Sequence, residues 1–180
     1  IRIYNVALHE NEQTRSIISH TAEREFRLLE QLDHEGILRA DQFTQHELGP
    51  GLIFRYDPEA VRLDHYLVQR GDSLSIDIRL SLVRQLAEAL RFAHAKGIVH
   101  RTLSPQGILV YDPEGEKPRI KILNWQLGRQ YIASTSSSSI RHTFSIHPEQ
   151  LVEDASLLYM APESITDPES VEPYADVFSL

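Results

Sequence analysis

The chain has 180 residues, 41% of them hydrophobic and 24% charged, with a formal net charge of −8. That is enough apolar material to fold into one domain, or one large part of a two-lobed one, and too much for a disordered chain. The acidic balance disfavours nucleic acid and anionic membrane as partners, and no apolar run approaches the ~20 residues that cross a bilayer. Cysteine is absent, which excludes disulfides and thiolate metal sites within these residues and fits a cytoplasmic protein. Nine histidines are scattered without a close pair or a carboxylate at ligand spacing, so no metal site is expected.

In chain order, residues 1–8 alternate apolar and polar around Ile1, Ile3 and Val6, which predicts a short strand. Ala22, Phe26, Leu29 and Leu32 predict a helix over 21–33. Residues 51–56, "GLIFRY", read as a buried strand stopped by Asp57-Pro58. The clearest helix follows, with Ser75 as N-cap, a stripe of Ile78, Leu82, Leu86, Leu90 and Ala93, and Gly97 as the stop. Residues 107–123 predict a hairpin around an Asp-Pro-Glu-Gly turn. Residues 129–150 contain "STSSSS" and no periodicity, and read as a mobile loop. Helical pieces are expected around 161–165 and from Tyr174 onward. The first residues look like a strand already under way and the last like a helix just begun, so the chain is expected to be a segment of a longer protein.

Four motifs then carry chemistry. "HRTLSPQGILV" (100–110) follows the long helix, "IKILNWQLGR" (120–129) follows the hairpin, "YMAPE" spans 159–163 and "ADVFSL" spans 175–180. Each alone is weak, but their order and spacing are specific. The chain resembles a protein kinase of the serine/threonine branch, whose signatures are H-R-D-L-x-x-x-N, D-F-G and A-P-E. The resemblance covers essentially all 180 residues. It implies an α+β, two-lobed fold: residues 1–57 as small lobe and hinge, and 58–180 as the first half of the large lobe. Within the latter, 124–163 would form an activation-segment-like loop. A glycine-rich loop would precede residue 1.

Phosphoryl transfer needs positioning, neutralised phosphate charge and a group that orients the attacking hydroxyl. On this pattern the catalytic Asp is replaced by Thr102, the loop Lys by Ser104, the Mg²⁺-binding Asn by Gly107 and the D-F-G Asp by Asn124. The phosphate-binding strand Lys falls at Tyr4. The first lysine in the chain is Lys96, so no register supplies one earlier, and Arg2 is the nearest cation. Glu25 matches the helix Glu that normally holds that Lys, and is expected to lack its partner. His100, Arg101, Pro162, Glu163 and Asp176 keep their motif identities. The resemblance implies that Asp176 holds the catalytic-loop backbone, and that Ser156 takes the place of the Thr that faces substrate. His100 is expected to be a packed core residue rather than a base. Trp125 is expected to pack under the helix bearing Glu25 and, with Phe54, to fill the nucleotide cleft.

Groups that hold the fold survive, while those that touch metal, phosphate and the substrate proton are lost. The expectation is therefore a pseudokinase without a cofactor, docking or regulating another protein or a domain of its own chain, an active kinase domain among the candidates. The alternatives are an atypical ATP- and Mg²⁺-dependent serine/threonine kinase, or an ATP sensor without turnover. Ser134, Thr135, Ser136, Ser137, Ser138 and Ser139 are candidate phosphosites that Arg101 would receive. The segments "LDHEGIL", "AHAKGIVHR" and "EQLVEDASLLYMAPE" look bacterial and resemble the kinase-like regions of phage-exclusion (phage growth limitation) proteins.

Overall fold

The computed structural model describes residues 1–8, 11–127, 129–130, 154–167 and 171–180. The fold is α+β, as expected. Its first sheet has three antiparallel strands in the order β1-β3-β2: Arg2–Ile3, Gly49–Phe54 and Ala40–His46. Strand β1 is shorter than its alternation suggests, because the chain turns into a 3-10 helix over Val6–Leu8. The Tyr4 and Val6 N–H groups nevertheless still donate to Pro50 and Leu48 carbonyls, each at 2.8 Å.

Helix α1, Glu12–Gln31, lies against this sheet and starts nine residues before the expected Thr21. Asn11 caps it by accepting the Gln13 N–H at 2.8 Å. Its first half is polar and β-branched and so carries a weak helical signal. There Thr21 is accommodated inside the helix by donating its hydroxyl to the Ile17 carbonyl at 2.9 Å.

Strand β2, "ADQFTQH", has no expected counterpart, since it is a half-exposed, polar strand. It is made by its pairing with β3 rather than by its own residues. Strand β4, Val61–Arg62, and helix α2, Leu63–Arg70, were likewise illegible from periodicity.

Helix α3, Ile76–Ala95, matches expectation closely. Ser75 accepts the Ile78 N–H at 3.2 Å, and Leu82, Leu86, Leu90 and Ala93 are buried. Gly97 ends it at φ 72°, a conformation that favours glycine. Strand β5, Ile98–Val99, follows. The expected hairpin is β6, Ile108–Tyr111, and β7, Arg119–Ile122, with β4 paired along the other edge of β6. Residues 129 and 130 depart from the expected loop. They form β8, antiparallel to β5, and the rest of the expected loop, 131–150, lies outside the described residues. Three short helices complete the chain: α4, Asp154–Leu157; α5, Pro162–Thr166, with proline at its start; and α6, Tyr174–Ser179.

One apolar core runs through both lobes, from Leu28, Leu29 and Leu52 to Leu86, Leu90 and Ile122. The loop after α1 is stitched to β7: Leu38 N–H donates to the Ile122 carbonyl, and Ile122 N–H to the Gly36 carbonyl, both at 2.8 Å. The position of α1 is thereby tied to the strand that leads into Asn124 and Trp125. No helix among the described residues is long and apolar enough to cross a membrane.

Candidate functional site

Strand β5 leads directly into His100 and Arg101. Arg101 has φ 76°, a left-handed conformation that a bulky residue adopts at a cost of about 1–3 kcal/mol. Asp176, fully buried at the start of α6, holds it there. One carboxylate oxygen accepts the Arg101 N–H at 2.7 Å, and the other accepts the His100 N–H at 2.8 Å. The second oxygen also lies 2.7 Å from His94 Nε2.

His100 is itself fully buried, and burial holds its pKa below the usual histidine value. Its Nε2–H donates to the Leu123 carbonyl at 2.9 Å and its Nδ1 accepts the Thr102 N–H at 3.3 Å, which is the pattern of a neutral imidazole. The ring meets Trp125 edge-on, with centroids 4.6 Å apart. His100 is thus a buried structural joint between the two loops.

The next positions are neutral and turned inward. Thr102 and Ser104 are buried, and the Ser104 hydroxyl bonds the Ser156 hydroxyl at 2.9 Å. This contact docks the segment bearing α4 onto the loop without any charge. Gly107 N–H donates to the Ser104 carbonyl, and the Gly107 carbonyl accepts the Leu123 N–H, each at 2.9 Å. Gly107 thereby ties the loop to the strand end that carries Asn124.

The charged part of the site belongs to Arg2, Tyr4, Glu25 and Asn124. Arg2 and Tyr4 lie two residues apart, and both reach Glu25 on α1. Arg2 Nη1 donates to the two Glu25 oxygens at 2.9 and 3.2 Å, and the Tyr4 hydroxyl donates to Glu25 as well. Arg2 Nη2 donates to the Asn124 amide oxygen. The guanidinium sits 5.4 Å from the centre of the Phe54 ring. Burial pushes the Tyr4 phenol well above its ordinary value, and the Glu25 charge adds to this. For Arg2, burial works against the charge, but Glu25 and then Tyr4 outweigh it and raise the pKa. The carboxylate is fully buried and carries donors from two residues, so the cluster is charge-matched within itself.

Residues 3–180 match the protein kinase domain family. The chain belongs to the protein kinase family. Among curated relatives it is 34% identical to the probable kinase PglW of Streptomyces coelicolor, over its whole length. It is 28% identical to serine/threonine-protein kinase ULK1 of Homo sapiens over 87% of the chain, and 32% identical to MAP kinase-interacting serine/threonine-protein kinase 2 of Xenopus laevis over 81%. These matches span 13%, 14% and 30% of the respective relatives, so the chain corresponds to a minor part of each.

Kinases hold magnesium-bound ATP with carboxylate and amide oxygens and a strand lysine. The side chains here do not fit that group. Asn124 offers one neutral oxygen, which Arg2 already engages, Gly107 offers none, and Thr102 is buried and uncharged. No cluster of three His, Asp or Glu side chains suited to a metal exists among the described residues.

Glu25 lacks its usual lysine, as expected, but other side chains take that place: Arg2 reaches it from two residues before the expected lysine position, and Tyr4, at that position, bonds it too. The signal was present in the period of two that puts both residues on one strand face. Trp125 is fully buried in a turn packed against α1, as expected, but its ring partner is His100, while Phe54 lies under Arg2. Trp125 belongs to the core cluster, and Phe54 packs against that same cluster.

Pro162 and Glu163 open α5, with the Glu163 carbonyl accepting the Asp167 N–H at 2.9 Å. The candidate phosphosites Ser134, Thr135, Ser136, Ser137, Ser138 and Ser139 lie outside the described residues. Sequence reasoning missed Arg24, whose Nη2 donates to the Gln126 carbonyl at 2.6 Å and adds a second tie from α1 to the turn holding Trp125.

Proposed function

We propose that this kinase-family chain transfers no phosphate and serves as a regulatory or docking module within a larger protein. Its partner would be another protein or another domain of the same chain, an active kinase domain among the candidates. The observation that carries this reading is the engagement of Asn124 by Arg2: the one oxygen at the metal-binding position is taken by an internal cation. The neutral, buried Thr102 supports it, because a hydroxyl has no useful basicity near neutral pH. Lost catalytic groups in one site act as a unit, so no single survivor restores the rate.

A specific observation favours a second reading, an atypical ATP-dependent serine/threonine kinase. The Arg2–Glu25 ion pair keeps a cation beside the α1 carboxylate, and the relatives named above are kinases. One experiment separates the readings. Incubation with γ-labelled ATP, Mg²⁺ and a generic protein substrate is expected to give no incorporation above background, and thermal shifts with ATP are expected to show no Mg²⁺ dependence. Incorporation that disappears in Asn124→Ala would establish the enzyme. A Mg²⁺-dependent shift without turnover would indicate a nucleotide sensor.

A further inference from the structure

The geometry points to Arg2 as an internal latch, one that fixes α1 against the Asn124–Gln126 segment with no ligand present. We propose that the two lobes are thereby held in one constitutive arrangement that nucleotide does not switch. This rests on the non-catalytic reading above and supplies its regulation: the module would present a fixed surface to its partner.

The guanidinium fork is what makes the latch possible. Nη1 is bonded to Glu25 on α1, while Nη2 is bonded to Asn124 at the end of the β7 strand, so one side chain closes a bridge between lobes. A lysine has a single nitrogen and cannot span both acceptors in the same way. Tyr4 occupies the remaining side of Glu25, and Phe54 supports the guanidinium face. Arg24 on α1 makes the second crossing, to the Gln126 carbonyl at 2.6 Å. Asn124 suits its role because its φ of 67° is tolerated by asparagine, and an uncharged amide leaves the Arg2–Glu25 pair balanced.

The chain has no cysteine, so Ser16→Cys on the exposed face of α1 and Glu116→Cys in the exposed hairpin turn give two unique labelling points. Distances between spin labels at these positions report the lobe arrangement. The expected result is one narrow distribution, unchanged by ATP and Mg²⁺. Arg2→Ala and Asn124→Gly should broaden and lengthen it, and Arg2→Lys should fall between. Asn124→Gly guards against misfolding, since glycine adopts the required φ without strain while removing the amide. An unchanged distribution in both variants, or a wild-type distribution that moves on adding ATP and Mg²⁺, would overturn the latch. Phosphate incorporation is measured on the same samples. Turnover with the latch behaviour intact overturns only the non-catalytic reading, whereas unaltered distances in the variants without turnover overturn only the latch.

Discussion

His100 carries no charge in the folded chain, and this has a consequence for stability. Burial lowers its pKa, while in the unfolded chain it titrates near 6.5. Above that value neither state binds the proton, and the neutral joint to Leu123 and Thr102 contributes fully. As pH falls below about 6.5 the unfolded state takes up a proton that the native state refuses, and stability drops by up to about 1.4 kcal/mol per pH unit. Urea midpoints between pH 7.5 and 5.5 should therefore fall more steeply for the wild type than for His100→Phe. The other eight histidines are common to both proteins and cancel in the comparison. Equal slopes would mean that His100 titrates alike in the folded and the unfolded chain. That His100 packs in the core was legible from its motif. The tautomer was not, because it depends on Leu123, a residue 23 positions away in sequence.

Among the elements, α3 was the most legible, because its stripe, cap and stop all agree locally. Its cap also gives a clean expected outcome. Ser75→Ala removes the acceptor of the Ile78 N–H and should lower stability by about 1 kcal/mol, read by chemical denaturation, without changing the fold. A loss within error would mean that water replaces the hydroxyl at this exposed cap. Helix α1 was half legible: its second half shows apolar spacing, while Glu12 to His20 is held by the Asn11 cap and by Ile18 reaching the core. Strand β2 was illegible for a different reason. Its seven residues are mostly polar and half-exposed, and their extended state is imposed by β3. Gly49 at φ 141° explains how that turn closes: a side chain there would have its Cβ 2.2 Å from the Tyr4 carbonyl oxygen.

At the scale of the molecule, the lobes share one core, and crossings at Arg2, Arg24 and the Leu38–Ile122 backbone pair reinforce it. The two lobes should therefore unfold together. Denaturation followed by Trp125 fluorescence and by far-ultraviolet circular dichroism should give coincident transitions, since the sole tryptophan lies at the joint. Fluorescence changing first would show that the joint opens before the helices melt.

The sequence by itself determined the family and the strongest elements, α3 and the β6–β7 hairpin, because those rest on residue identity at motif positions and on local periodicity. Tertiary structure decided which side chains surround Glu25 and Asn124. Arg2 lies 122 positions from Asn124, and only the packing of α1 against the first sheet and the turn at 125–127 brings one guanidinium within reach of both the helix carboxylate and that amide. Hydrogen bonding of this kind depends on distances in space, which spacing along a chain does not encode.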